Sequence, residues 1–117
     1  MNQVGALALT LAVELAVALG WVRACSWAQG KALWGRLPLA VCAASLLTHP
    51  LAWRASTVWL AAWSPWPRAV IIELAVVAAE TALLHWLQPL SWRRALTVAA
   101  LMNTLSFAVG VALWWLL

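Results

Sequence analysis

The hydrophobic positions of the chain form four long runs that are separated by three short polar breaks. The runs cover about residues 3–22, 37–53, 67–87 and 94–117. Gly, Pro, Ser and basic residues supply the breaks, a composition typical of connections. A helix crosses the apolar core of a bilayer with about 20 residues. The pattern therefore predicts an all-α bundle of four transmembrane helices that forms one domain over residues 1–117.

Composition favours a membrane protein over a water-soluble one. Of the 117 residues, 67% are hydrophobic and 9% are charged. A soluble domain of this length has too small a core to bury so much apolar surface. The net charge of +4 does not indicate nucleic-acid binding, because the bases lie between or at the ends of the apolar runs, where membrane proteins keep the charges that set topology.

The distribution of bases predicts how the helices are oriented. The first and third breaks face one side, and the second break faces the other. The bases are Arg23, Lys31, Arg36, Arg93 and Arg94 on the first side, and Arg54 and Arg68 on the second. The positive-inside rule places the first and third breaks in the cytoplasm and both termini outside. The eleven Trp residues cluster at span ends, as they do in the aromatic belts of membrane proteins.

Two short matches indicate an internal duplication. They pair "VELAV" at 13–17 with "IELAV" at 72–76, and "SLLTH" at 45–49 with "NTLSF" at 103–107, at offsets of 59 and 58 residues. The chain is then two similar helical hairpins, residues 1–56 and 57–117. Since each hairpin crosses the membrane an even number of times, we expect a pseudo-two-fold axis along the membrane normal.

Polar side chains recur within all four runs at similar depth. Glu73 and Glu80 are seven residues apart, so they share a helix face about 10 Å apart along its axis. Counting ~1.5 Å per residue from the flanking bases places a polar layer near the midplane. Its predicted members are Glu14, Ser45, Thr48, Glu80, Asn103 and Ser106. Glu73 lies nearer the outer surface.

The acids of this layer have no Lys or Arg at the same depth. An ionised Asp at a helix centre costs roughly 2.5–3.5 kcal/mol even on mild insertion scales. The acids therefore either stay protonated through desolvation or ionise around a bound cation. We predict that Glu14 and Glu80 bind a small cation or proton and that Glu73 acts as an outer relay. The residues predicted to coordinate or orient are Asn103, Ser106, Ser45 and Thr48.

A structural role is the alternative. Protonated Glu, Ser, Thr and Asn can hydrogen-bond helices together, as in a non-catalytic subunit of a larger membrane complex. The chain could also self-associate, since a 12.7 kDa bundle leaves little room for an internal pathway and the route could form between protomers. These two interpretations stay open at this point, with a lipid, quinone or metal-enzyme function as a lesser one.

No catalytic residue or cofactor is predicted. The sequence contains no Ser-His-acid set, phosphate-binding loop or nucleophile motif. His49 and His85 fall in opposite leaflets, so one copy cannot hold a haem between them. His49 precedes Pro50, which removes a backbone donor and should kink the second helix. Thr48 or His49 could bond the carbonyl of Leu46 that Pro50 leaves free.

The order of motifs also carries a resemblance. An "IEL"-type first span is followed by "LTHP", "E-x6-E" and "N-x2-S-x3-G". This order resembles an uncharacterised family of small four-helix integral membrane proteins of bacteria and archaea. The matching positions are Glu14, Thr48, Pro50, Glu73, Glu80, Asn103, Ser106 and Gly110. The resemblance implies a four-helix fold and no established activity. With the charge distribution, it predicts a multi-pass protein of the bacterial inner membrane with periplasmic termini.

Overall fold

The structure, a computed structural model, describes residues 2–27, 30–88 and 90–116, without the side chains of residues 32 and 33. Residues 28, 29 and 89 of the predicted breaks and the two terminal residues lie outside the described part. The four long helices are α1 Gln3–Ala24, α2 Leu37–Arg54, α3 Pro65–Leu87 and α4 Trp92–Leu116. Of the described residues, 88% are helical and none is in a strand. The prediction of an all-α fold with four long helices is confirmed.

Local signals set the helix ends. The side chain of Asn2 accepts the Gly5 N–H at 2.8 Å, which caps the start of α1. Ser26, with φ 56°, turns the chain out of the helical conformation two residues after α1 ends. Pro65 occupies the first position of α3, so this helix begins two residues before the predicted start. The Ser91 hydroxyl accepts the Arg94 N–H at 3.2 Å at the start of α4.

The helical conformation around α2 extends beyond the apolar run that predicted this helix. A π-helical turn at Ala32–Arg36 precedes α2, and another at Ala55–Trp59 follows it. α2 continues through Pro50. The Thr48 hydroxyl donates to the carbonyl of Ala44 at 3.0 Å and not to that of Leu46. The Thr48 alternative is therefore wrong, because its hydroxyl reaches back one helical turn on its own face. The His49 alternative and the kink at Pro50 stay predictions.

The four helices pack in a ring. α1 contacts α2 and α4, and α3 contacts the same two helices. Because connections are short, neighbours run antiparallel, and the breaks alternate between the two ends of the bundle. We call the end with the first and third breaks the basic end. The other end, with both chain termini and the second break, is the termini end.

The half of the bundle toward the basic end is tightly packed. Its buried apolar side chains are Ala18, Val22, Leu37, Ala40, Val41, Leu84, Leu90, Ala95, Val98, Ala99 and Met102. Alanine contributes to this core from α1, α2 and α4, and small residues let helix backbones approach closely. This half closes the bundle below the polar layer.

Large apolar side chains face outward on the helices. Leu39, Leu74 and Leu116 are 72%, 66% and 80% exposed, whereas Glu14 and Glu80 are each 1% exposed. Among the described residues, α1, α3 and α4 are long and apolar enough to cross a membrane, with mean hydropathy of 1.9, 1.8 and 1.9 over their best windows. α2 is not among them; it carries His49, Pro50 and Arg54. Three of the four predicted spans therefore have the length and composition of a membrane helix.

Candidate functional site

Polar side chains from all four helices meet in the middle of the bundle. The group that we call the polar layer contains Glu14 of α1, Ser45 and Thr48 of α2, Glu80 of α3 and Asn103 of α4. Each of them is at most 8% exposed, and hydrogen bonds link them into two sets. Five of the seven residues predicted for the site are thus brought together.

The first set joins α1 to α2. The Ser45 hydroxyl donates to Oε2 of Glu14, and both residues are 1% exposed. Glu14 also lines the cavity that begins at the polar layer.

The second set joins α2, α3 and α4 through Glu80. Oε1 of Glu80 lies 2.7 Å from the Thr48 hydroxyl, and Oε2 accepts from Nδ2 of Asn103 at 2.6 Å. Thr48 and Asn103 also bond backbone carbonyls four residues earlier on their own helices, at 3.0 and 2.8 Å. These backbone bonds fix the two side chains in the direction of Glu80.

The other two predicted residues lie beside this network. Ser106 is partly buried and donates to the backbone carbonyl of Asn103 at 3.2 Å. Glu73 is partly buried, and no hydrogen bond to it occurs among the described residues. Arg68, five residues before it, donates instead to the carbonyl of Ala61 at 3.3 Å. Both Ser106 and Glu73 line the cavity next to the polar layer.

The hydrogen bonds do not follow the predicted repeat. The 59-residue offset makes Glu73 the equivalent of Glu14, and the 58-residue offset makes Asn103 the equivalent of Ser45. Glu14 bonds Ser45, but Asn103 bonds Glu80, which lies two turns farther along α3 than Glu73. The acid that bonds the neighbouring helix therefore lies at a different repeat position in each hairpin. The pseudo-two-fold axis stays a prediction.

A cavity of about 680 Å³ extends from the polar layer to the termini end. On α4 its lining runs from Asn103 to Trp115, a rise of about 18 Å. Between Glu14 and Glu80 at its floor and the mouth at the termini end, the cavity is lined mainly by apolar and aromatic side chains. The wall and mouth residues are Ala6, Ala52, Trp53, Pro65, Trp66, Ala69, Ile72, Val76, Phe107, Val111, Trp114 and Trp115. Gly110 also lines the cavity, and a Cβ added there would meet no atom within 4 Å.

The two histidines have different surroundings. His85 bonds the carbonyl of Leu90 through Nδ1 at 2.7 Å and stacks on Trp92 with ring centroids 4.0 Å apart, so it links the end of α3 to the start of α4. His49 lines the cavity, and its buried Nε2 has no partner in the described structure. Across the described ranges, no three His, Cys, Asp or Glu side chains are grouped to hold a metal ion.

Several cavity residues were not predicted for the site, although their spacing pointed to it. Thr10 lies four residues before Glu14, and Phe107 lies four after Asn103, so each shares a helix face with a predicted residue. Trp53 follows His49 at the same spacing. The sequence did not predict the cavity, because a cavity depends on how side-chain volumes fill the space between helices.

No family model, curated protein or solved structure matches the chain. The class is therefore defined by the fold and the site: an all-α bundle with outward-facing apolar side chains and a buried acidic layer beneath a cavity. The resemblance to the small four-helix bacterial and archaeal family stays a prediction.

Proposed function

We propose that the chain is a multi-pass protein of the bacterial inner membrane that binds or translocates a small cation or proton through its buried glutamates. The observation that carries the proposal is the position of Glu14 and Glu80. Both are buried at the floor of a cavity, and their hydrogen-bond partners in the described structure are hydroxyl and amide groups. Intramembrane acids in such surroundings most often mark ion or proton pathways.

The surface of the bundle supports the membrane part of this proposal. Only 11%, 17% and 22% of the residues in the apolar windows of α1, α3 and α4 are buried inside the protein. The remaining apolar side chains need an apolar solvent, because monomeric soluble proteins rarely expose contiguous apolar patches of such extent. The excess of bases at the basic end then favours a cytoplasmic location for that end and a periplasmic location for the termini.

The number of donor protons around Glu80, compared with the number of acceptors, supports a neutral carboxyl group in the unliganded protein. The Thr48 hydroxyl has one proton, yet both the Ala44 carbonyl and Glu80 Oε1 lie within bonding distance of it. A protonated Glu80 resolves this conflict: Thr48 donates to Ala44 and accepts from Glu80. Asn103 uses its two amide protons on Glu80 and the Ala99 carbonyl. Every group in this set is then paired.

A neutral Glu80 gives the site a balanced exchange reaction. An arriving monovalent cation replaces the carboxyl proton, which leaves through the cavity, so the net charge of the site does not change. Glu14 supplies a second carboxyl, and Glu73 lies on the cavity wall between the floor and the mouth, where it can relay the proton. Ser45, Thr48, Asn103 and Ser106 provide oxygen atoms and an amide that coordinate or orient.

A structural role remains the second candidate. The hydrogen bonds of Glu14 and Glu80 cross three helix pairs, α1 with α2, α2 with α3 and α3 with α4. Such bonds hold membrane helices together at about 0.6–2 kcal/mol each. In this case the chain would be an assembly subunit or a homo-oligomer. The cavity lies within a single chain, so space for a ligand does not itself require a second copy.

Proteoliposomes separate the two candidates. Purified protein would be reconstituted with an internal pH dye, and proton flux would be followed after an imposed gradient of Na⁺, K⁺ or pH. We expect Glu80→Gln and Glu14→Gln to lower the flux at least about tenfold, since each removes an exchangeable proton. The matched control is Thr97→Val, whose exposed hydroxyl bonds the Arg93 carbonyl outside the site. If both Gln variants match wild-type flux, the structural role is correct.

A further inference from the structure

We propose that the cavity accepts an amphiphilic organic monocation, with its compact cationic head at the acidic floor and its apolar tail in a side groove between α2 and α3. This inference rests on the proposed function and names the class of cation.

The size of the cavity favours an organic ligand over a bare inorganic ion. A water molecule occupies about 30 Å³ in the liquid, and a dehydrated metal ion or a proton needs no more than that. The cavity volume of about 680 Å³ lies within the range of about 300–1,000 Å³ that is typical of sites for organic ligands. The lining also fits, because most of it is apolar or aromatic and the polar groups are concentrated at one end.

The groups at the floor are chemically suited to a cationic head. Glu14 and Glu80 provide two carboxyl groups, and both residues line the cavity. Trp53 and Phe107 are partly buried in the wall above them. Aromatic faces and carboxylates together are the groups that proteins use to bind alkylammonium ions. The unpartnered Nε2 of His49 adds a further polar atom on the same wall.

The side groove can hold the apolar tail of the ligand. It has a volume of about 290 Å³ and lies between α2 with its following π-helical turn and α3. Its own lining residues are Leu51, Ala55, Trp59, Leu60, Ile71, Ala75 and Ala79. It shares Thr48, Ala52, Ile72 and Val76 with the main cavity, so the two spaces adjoin next to the polar layer.

The groove also faces the surroundings of the protein. Leu51, Trp59 and Ile71 are 58%, 58% and 44% exposed, and they form part of its rim. Along α3 it extends from Ile71 to Ala79, about 12 Å at the rise of an α-helix. In a bilayer this rim contacts acyl chains. A ligand whose tail is already dissolved in the membrane can therefore slide sideways between α2 and α3 while its head reaches Glu80.

Two probes and two pairs of variants test the inference. The probes are tetramethylammonium, which is a head alone, and octyltrimethylammonium below its micelle concentration. Binding to the protein in nanodiscs of zwitterionic lipid would be measured by calorimetry. Ala75→Trp fills the groove, and Ala78→Trp on the exposed face of the same helix is its matched control. Glu80→Gln removes the floor carboxyl group that would ionise when a cation binds, with Thr97→Val as its control.

We expect Ala75→Trp to weaken octyltrimethylammonium binding by about tenfold and to leave tetramethylammonium binding within about twofold of wild type. Ala78→Trp should behave as wild type with both probes. Glu80→Gln should weaken both probes by about tenfold or more, because it removes a charge-assisted contact. Circular dichroism checks the fold, and Ala75→Phe replaces Ala75→Trp if the larger side chain prevents folding.

The outcomes are distinguishable from those that test the proposed function. Equal binding of octyltrimethylammonium to wild type and Ala75→Trp would show that the apolar tail does not bind in the side groove. If neither organic probe binds while proton or metal-ion flux still depends on Glu80, the inference is wrong and the proposed function stands. If Glu80→Gln and Glu14→Gln change neither probe binding nor flux, both proposals are wrong.

Discussion

Glu73 and Glu80 lie on the same helix two turns apart, yet their surroundings differ. Glu80 bonds two neighbouring helices, whereas Glu73 faces the cavity without a hydrogen bond in the described structure. A side-chain amide at position 80 can donate to Thr48 and accept from Asn103, as a neutral carboxyl group does. An ionised carboxylate would instead accept from both.

Two substitutions at this residue test its charge in the unliganded protein. We expect Glu80→Gln to leave the free energy of unfolding within about 0.5 kcal/mol of wild type. Glu80→Ala should lower it by about 1–3 kcal/mol, because it leaves Thr48 and Asn103 without their buried partner. Unfolding in mixed micelles with increasing SDS, followed by circular dichroism, measures both. If Glu80→Gln destabilises the protein as much as Glu80→Ala, the carboxyl group is ionised in the empty site.

Much of the polar layer was predictable from single residues, but its pairings were not. The spacing of Glu14, Glu80, Ser45 and Asn103 gave the depth of each group, and the structure places all four together. Spacing leaves the rotation of each helix undetermined. Spacing therefore did not give the pairings within the layer, in which Ser45 bonds Glu14 whereas Thr48 and Asn103 bond Glu80.

At the scale of the helices, the hydropathy pattern predicted the number of elements and their approximate ends. The helix ends shifted by two residues at Pro65 and at Trp92 because capping and proline geometry decide them. The π-helical turns that flank α2 had no sequence signal. They lengthen its helical path on both sides, and the turn after α2 brings Ser56 to the cavity and Trp59 to the side groove.

The packed half of the bundle depends on small side chains at helix contacts. Ala99 of α4 is 0% exposed within this core, whereas Ala78 of α3 is exposed. We expect Ala99→Leu to lower the free energy of unfolding by about 1–3 kcal/mol, since added methylenes have no space there. Ala78→Leu, the matched control, should change it by less than about 0.5 kcal/mol. Equal effects of the two variants in SDS unfolding would show that the helices do not pack as described.

At the scale of the whole molecule, the bundle has two unlike halves. The basic half is closed by packed apolar side chains, and the termini half contains the cavity. Composition could not predict this division, because apolar residues dominate both halves of every run. The division decides the direction from which a ligand in water reaches the acids: from the termini end, which we propose faces the periplasm.

Thiol labelling along α4 tests this asymmetry and the membrane environment together. In a Cys25→Ser, Cys42→Ser background, a charged membrane-impermeant maleimide would be added to intact cells with a permeabilised outer membrane. Gly110→Cys should react, because its side chain would point into open space in the cavity. Val98→Cys should not, because position 98 is 0% exposed in the packed half. Thr104→Cys should also stay unlabelled, although position 104 is on the protein surface, because lipid excludes a charged reagent there.

An unexpected labelling result at each of the three positions would contradict a different part of the proposal. Labelling at position 104 as fast as at 110 would mean that the outer surface faces water, and the membrane assignment would be wrong. Labelling at 98 would mean that the basic half opens. Labelling at 110 only in inverted vesicles would keep the cavity and reverse its orientation, which would place the five-base side of the molecule in the periplasm, against the positive-inside rule.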